Sequence, residues 1–164
     1  MSDNISVSIF MGSKSDLPIV QAASDTLKEF GVKHRMFILS AHRTPKEVVK
    51  RVKESEENGV KVFIAAAGMA AHLAGAIAAQ TTKPVFGIPR GGGDLDGIDS
   101  LLATVQMPKG VPVATFAIGK SGAVNAALCA AQVLGITDKK IAEQLIDYKS
   151  KIYDDVLAAN ESIQ

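Results

Sequence analysis

Short apolar segments alternate along the chain with longer segments in which apolar residues recur every three or four positions. In residues 16–30, for example, Ile19, Ala23 and Leu27 follow a helical period, and Gly31 is placed to end the helix. The apolar segments predict five strands, at residues 5–11, 34–40, 61–66, 84–88 and 112–118. The periodic segments predict helices over residues 16–30, 45–58, 70–80, 98–106 and 123–134.

Strands that alternate with helices predict a parallel sheet covered by helices on both faces. The nearly continuous apolar character of residues 62–66 and 113–118 is typical of strands that are buried on both sides. No linker, repeat or low-complexity tract interrupts the alternation. The pattern therefore predicts one doubly wound α/β domain over residues 1–164.

The last part of the chain, residues 137–160, predicts one more helix after a sheet that is already complete. Thr137 or Asp138 can cap it. Its apolar residues form a single stripe of Ile141, Leu145, Tyr148, Ile152 and Val156. This stripe either packs on its own domain or docks on another subunit, and we favour a subunit contact.

Composition narrows the classes of partner. The 164 residues carry 18 Lys and Arg against 17 Asp and Glu, with 5% aromatics and no Trp, so neither charge nor stacking groups favour nucleic acid. Residues 62–82 carry no formal charge, but Gly68, His72 and Gly75 interrupt them, which favours a buried strand, loop and helix over a membrane span. The single cysteine, Cys129, is expected to be a small buried filler, and with no signal-like start we expect a reducing cytoplasm.

The segment Ser40-Ala41-His42-Arg43-Thr44-Pro45 contains the strongest candidate chemistry. It follows a predicted strand, and ligands of open α/β sheets bind at the carboxyl ends of strands. Thr44 through Glu47 predicts a capping box with Pro45 at the first helical position. Since imidazole exchanges protons near neutral pH, His42 beside Arg43 indicates proton transfer next to an anionic ligand.

Two further segments follow strands. The segment from Gly12 to Asp16 contains two hydroxyls and a lysine at a helix start; it is either a phosphate and sugar site or a plain polar turn capped by Ser15 or Asp16. In residues 65–73, the small residues leave room at a strand end. His72 there is either a ligand contact or a histidine bonded to backbone at a helix start, and the spacing alone favours the second. His34 is expected to be exposed.

Other motifs are incomplete. Gly119-Lys120-Ser121 lacks the glycine that a phosphate-binding P-loop needs, because Ala114 stands there. The aspartates near Gly91-Gly92-Gly93 lack the spacing and closing glutamate of a calcium loop. We expect no metal, and we interpret the glycine triplet as an active-site edge or a plain loop.

Taken together, six segments resemble the PurE family of purine biosynthesis, specifically its bacterial-type N5-carboxyaminoimidazole ribonucleotide mutases. They are residues 12–16, 40–45, 68–73, 97–102, 105–108 and 119–122. The resemblance covers about residues 5–134, and the segment at 68–73 favours the mutase class over direct carboxylases. The loop at residues 90–96, with its three glycines, departs from the family pattern.

The resemblance implies a flavodoxin-like three-layer α/β/α subunit, a homo-octamer and a ribonucleotide substrate, with no metal or other cofactor. It assigns acid and base chemistry to His42, phosphate binding to Ser13, Ser40 and Arg43, and the ribose hydroxyls to Asp16. The remaining residues expected to contact substrate, four of them as a snug wall against solvent, are Ser15, Ala67, Gly68, His72 and Leu73. Two alternatives stay open: a direct, carbon-dioxide-dependent aminoimidazole ribonucleotide carboxylase, and a non-catalytic nucleotide-binding module.

Overall fold

A parallel sheet of five strands forms the centre of the structure, a computed structural model that describes residues 5–163. The spatial order is β2-β1-β3-β4-β5, as in flavodoxin-like folds, and the order reverses between β1 and β3. The strands are β1 (Val7–Met11), β2 (His34–Ile38), β3 (Val62–Gly68), β4 (Val85–Arg90) and β5 (Ala114–Thr115).

Helices cover both faces of this sheet. They are α1 (Leu17–Glu29), α2 (Pro45–Glu57), α3 (Leu73–Ala78), α4 (Ile98–Val105), α5 (Lys120–Gly135) and α6 (Lys139–Glu161). A short 3₁₀ turn, Lys14–Asp16, precedes α1. The predicted three-layer α/β/α arrangement, with an extra C-terminal helix, is confirmed.

The central strands are buried on both faces because their alternate side chains enter two different cores. In β1, Ile9 packs with α1 and α5, whereas Phe10 packs with α2 and α3. The first core admits α5 closely because the fully buried positions of α5 are all alanines or glycine. The alanines are Ala123, Ala126, Ala127, Ala130 and Ala131.

The fifth strand is much shorter than the predicted residues 112–118. Phe116 still donates its N–H to the carbonyl of Gly87 at 2.9 Å, and Gly119 donates to Pro89 at 2.9 Å. Between these two bonds, Pro89 of β4 has no N–H to donate back to β5. The ladder therefore ends early, and the reason lies in the neighbouring strand rather than in the segment itself.

The apolar stripe of helix α6 is packed in its first half and exposed in its second half. Asp138 caps the helix, accepting from the N–H groups of Lys140 and Ile141 at 3.0 and 3.3 Å. Ile141, Leu145 and Tyr148 then pack against the α1–α5 core. The second half of the helix leaves its large apolar side chains exposed, namely Ile152, Tyr153, Val156 and Leu157.

Three local predictions need correction or extension. His34 is not exposed: its ring is half-buried, with Nε2 2.7 Å from the Ser24 hydroxyl and Nδ1 2.9 Å from the Val32 carbonyl oxygen. The expected helix over residues 70–80 is shorter, and begins only at Leu73. Cys129 is partly buried against the α1–α5 core, as a filler residue would be.

Across residues 5–163, no helix is both long and apolar enough to cross a membrane.

Candidate active site

The carboxyl ends of β1, β2, β3 and β4 surround a cavity of about 320 Å³ at the edge where the strand order reverses. The ten residues that the sequence predicted for the site all line it. They are Ser13, Ser15, Asp16, Ser40, His42, Arg43, Ala67, Gly68, His72 and Leu73. The cavity is also lined by residues that the sequence reasoning did not select: Gly12, Ala41, Met69, Ala70 and Arg90.

Two histidines from different loops form a hydrogen-bonded pair in this cavity. Nε2 of His42 lies 2.8 Å from Nδ1 of His72, and the rings meet edge to face with centroids 4.9 Å apart. One of these nitrogens must donate and the other accept, so a single proton occupies the contact. The ring of His72 therefore pairs with His42 and not with backbone, contrary to the reading that spacing favoured.

Side-chain hydrogen bonds hold the turn that presents His42. The hydroxyl oxygen of Ser40 accepts from the N–H groups of His42 and Arg43 at 3.3 and 3.2 Å. Thr44 bonds backward to Ser40: its hydroxyl oxygen accepts from the Ser40 N–H at 2.8 Å and donates to the Ser40 carbonyl at 3.1 Å. The predicted capping box at Thr44 is therefore wrong, because this hydroxyl serves the turn rather than helix α2.

Arg43 links this turn to the loop after β1. One terminal guanidinium nitrogen, Nη2, donates to the carbonyl of Gly12 at 2.9 Å. A neighbouring cavity of about 370 Å³ is lined by Lys14 and Arg43 together with Ser13, Ser40 and Thr44. Two cations and three hydroxyl side chains around one cavity suit a phosphate group.

Asp16 lies almost entirely inside the protein, with its side chain 5% exposed. Its Oδ2 accepts from the N–H of Ser13 at 2.8 Å and from the Ser13 hydroxyl at 3.2 Å, and Ser13 with Asp16 forms a capping box before α1. Its Oδ1 lies 3.1 Å from Nε of Arg90. The segment from Gly12 to Asp16 is thus both a tightly bonded polar turn and a wall of the cavity.

The turn after β3 provides a wall made of small residues. Ala67 and Gly68 end the strand, and Met69 follows in the left-handed region with φ of 55°. Leu73 closes the same side and is buried in the α2–α3 core. Because few side-chain atoms stand here, a ligand can approach the backbone closely.

Arg90 is the functional candidate that the sequence reasoning missed. It ends β4 and stands opposite Gly68 in the strand register. The signal was available, since every other chemical group of the site also follows a strand end.

Comparisons with known proteins agree with this geometry. The sequence profile of the family described as AIR carboxylase matches residues 6–155. The N5-carboxyaminoimidazole ribonucleotide mutase of Escherichia coli (strain K12) is 49% identical over 151 residues, covering 92% of this chain and 89% of that protein. The mutase of Saccharolobus solfataricus is 47% identical over 152 residues, covering 93% of this chain and 95% of that protein.

A solved structure leads to the same family. The crystal structure of Treponema denticola PurE superposes with a TM-score of 0.86 at 28% identity, covering 96% of this chain and 98% of that one. The family profile and the relatives each match more than nine-tenths of the chain, and the fold agrees with them. The chain therefore belongs to the AIR carboxylase family.

Proposed function

We propose that this protein is an N5-carboxyaminoimidazole ribonucleotide mutase of purine biosynthesis. It moves the carboxylate of its substrate from the ring-attached amine to ring carbon 4, forming 4-carboxy-5-aminoimidazole ribonucleotide. The observation that carries the proposal is the cavity that joins the His42–His72 pair to a corner lined by Ser13, Ser40 and Arg43. Relatives with this printed name span more than nine-tenths of the chain.

The anionic end of the substrate fits the corner beside Arg43. Ser13, Ser40 and Arg43 bind the phosphate, with Ser15 beside them, since its hydroxyl lies 2.6 Å from that of Ser13. Asp16 accepts from a ribose hydroxyl. A bound nucleotide would then extend from this corner toward the histidine pair, which lies in the same cavity.

His42 moves the protons of the reaction. The N–C bond of the carbamate breaks to release carbon dioxide, and His42 delivers a proton to the departing nitrogen. Carbon 4 attacks the carbon dioxide, a C–C bond forms, and the proton on carbon 4 returns to His42. The hydrogen bond between His42 and His72 supports this role, because His42 already shares one proton with a group of the same chemical type.

The wall formed by Ala67, Gly68, His72 and Leu73 retains the carbon dioxide. Loss of this intermediate to water would end the cycle, so the reaction needs a closed pocket. Leu73 brings an apolar side chain to the cavity, and the small residues at 67 and 68 let backbone N–H groups approach the carboxylate.

Assembly into a homo-octamer of single-domain subunits, in the cytoplasm, completes the proposal. Three apolar surfaces support subunit contacts. They are the second half of α6, Met36 and Ile38 on the edge strand β2, and a stripe on α4 formed by Ile98, Leu102 and Val105. Exposed apolar stripes of this kind mark surfaces that other subunits cover.

Turnover of the purified protein tests the proposal. Wild type should convert N5-carboxyaminoimidazole ribonucleotide without ATP or metal, and His42→Asn should keep substrate binding while losing conversion. Near-normal activity of His42→Asn would contradict the proton-transfer role. Conversion of aminoimidazole ribonucleotide with bicarbonate in preference to the carbamate would favour the direct carboxylase, and saturable binding without conversion would favour a non-catalytic module.

A further inference from the structure

Arg90 adds a second guanidinium to the cavity, on the wall opposite the loop of Arg43. Its side chain is 28% exposed, whereas the carboxylate that it contacts, that of Asp16, is 5% exposed. A carboxylate so far removed from water needs a close cation or several hydrogen-bond donors. Asp16 has both, because Arg90 faces Oδ1 while Ser13 occupies Oδ2.

The bonding of Asp16 leaves room for one more donor. An ionised carboxylate offers about four acceptor positions. The N–H and hydroxyl of Ser13 take two positions on Oδ2, whereas Nε of Arg90 lies 3.1 Å from Oδ1 as an ion pair. Oδ1 therefore keeps acceptor capacity beside the guanidinium.

The terminal nitrogens of Arg90 complement that acceptor. Within residues 5–163, neither Nη1 nor Nη2 of Arg90 has a hydrogen bond to another residue. A group that donates to Oδ1 of Asp16 and accepts from a neighbouring guanidinium N–H is a hydroxyl. Asp16 and Arg90 thus offer an acceptor and a donor, placed so that one hydroxyl group can bond to both.

Two glycines lie next to the guanidinium of Arg90. A Cβ on Gly68 would stand 3.5 Å from Nη1 of Arg90, and a Cβ on Gly92 would stand 3.4 Å from the same atom. Gly92 has φ of +113°, a conformation that favours glycine. Gly92 belongs to the loop at residues 90–96 that departs from the family pattern, so part of that loop lies against the Arg90 side chain.

We propose that Arg90 is a substrate-binding residue that also positions Asp16: the two side chains together bind one ribose hydroxyl and make this protein selective for ribonucleotides. The inference rests on the proposed function, because that function supplies a ribonucleotide as the ligand. A purely structural ion pair, tying β4 to the first turn, would instead stabilise the fold without affecting which sugar binds.

Binding of three ligands tests the assignment by isothermal titration calorimetry. The ligands are 4-carboxy-5-aminoimidazole ribonucleotide and its 2′-deoxy and 3′-deoxy analogues. Wild type should bind at least one deoxy analogue about 10- to 100-fold more weakly than the ribonucleotide, as expected for loss of a hydrogen bond to charged groups. The Arg90→Met variant should bind the ribonucleotide more weakly than wild type by a similar factor. Its preference for the ribonucleotide over the deoxy analogue should fall below about 3-fold.

Two further variants complete the design. Arg90→Lys keeps the charge but loses the planar fork, so its preference should lie between those of wild type and Arg90→Met. If Arg90→Met does not fold, a preference in Arg90→Lys equal to that of wild type overturns the proposal. Arg51→Met is the matched control, because Arg51 lies outside the cavity and pairs with Glu54, with 2.6 Å between Nη1 and Oε2. This variant should bind all three ligands as wild type does.

The outcomes separate this proposal from the proposed function. A wild-type protein without sugar preference, or an Arg90→Met variant with the full preference, refutes the role of Arg90 even if the mutase reaction proceeds. A wild-type protein that binds these ligands without converting the carbamate refutes the proposed function, while the sugar preference still decides the role of Arg90.

Discussion

Gly122 is where the structure predicts the largest effect of a single added methyl group. It lies in the first turn of α5, directly against the backbone of Ala117. A Cβ at this position would overlap the carbonyl oxygen of Ala117, and would stand 2.7 Å from its carbonyl carbon and 3.1 Å from its nitrogen. Since carbon atoms make favourable contacts at about 3.5–4.0 Å, the helix or the backbone at Ala117 must move by roughly 1 Å.

The magnitude follows from two opposing effects of Gly122→Ala. Alanine favours a helix over glycine by about 1 kcal/mol. Overpacking against a rigid neighbour costs about 1–3 kcal/mol and occasionally more, and here the neighbour is backbone that cannot rotate away. The buried alanine face of α5 follows immediately, so a shifted helix also loses packing against the sheet. We expect a net loss of about 2 kcal/mol.

Gly75→Ala is the matched control. Gly75 is also helical, but its added Cβ would meet the flexible end of Met107, at 3.3 Å from the sulfur. That side chain can turn aside, so the helix propensity should dominate and stability should be unchanged or higher by up to about 1 kcal/mol.

Thermal unfolding at one fixed protein concentration checks both variants. A loss of about 2 kcal/mol should lower the Tm of Gly122→Ala by roughly 4–8 °C for a chain of this size, while Gly75→Ala stays at or above the wild-type Tm. The reasoning is refuted if Gly122→Ala unfolds at the wild-type temperature, or if the two variants lose equal stability.

Three further predictions concern the site, the assembly and the cysteine. Asp16→Ala should raise the KM for the ribonucleotide at least as much as it lowers kcat, because it removes the acceptor for a ribose hydroxyl; steady-state kinetics with an unchanged KM would contradict that contact. Removing residues 150–164 should give a smaller species in sedimentation velocity, since the exposed half of α6 is lost while Tyr148 and the packed half remain; an assembly of wild-type size would make this segment dispensable for assembly. Burial raises the pKa of the Cys129 thiol, so less thiolate is present near neutral pH. Alkylation by iodoacetamide should therefore be slower in the folded protein than in denaturant, and equal rates would exclude such protection.

One rule, which joins local pattern to topology, accounts for the placement of the predicted site residues in the fold. His42, Asp16 and Gly68 each follow an apolar segment, and each segment alone says only that a strand ends there. Parallel strands place all of these ends at one edge of the sheet. The ten predicted residues therefore meet in one cavity, although their roles in catalysis and binding remain proposals.

The same reasoning missed contacts that depend on distances between loops. His42 and His72 are 30 residues apart along the chain, and the spacing of either gives no sign of a bond between their rings. The ion pair of Asp16 with Arg90 depends on how the side chains at the ends of β1 and β4 extend across the intervening strand β3. Similarly, the capping box predicted at Thr44 does not form, because the folded turn directs the Thr44 hydroxyl to the backbone of Ser40.

The sequence by itself determined the order of strands and helices, the parallel sheet and the edge at which the candidate site lies, because hydrophobic periodicity is a local property and the alternation of strands with helices follows from it. Tertiary structure alone decided three other features: the early end of β5, the division of α6 into a packed and an exposed half, and the partners of His72 and Arg90. Each of these depends on atoms contributed by a distant segment: the missing N–H of Pro89, the surface of α5, the ring of His42 and the carboxylate of Asp16. Proximity in space, which no local pattern encodes, is the physical reason for the difference.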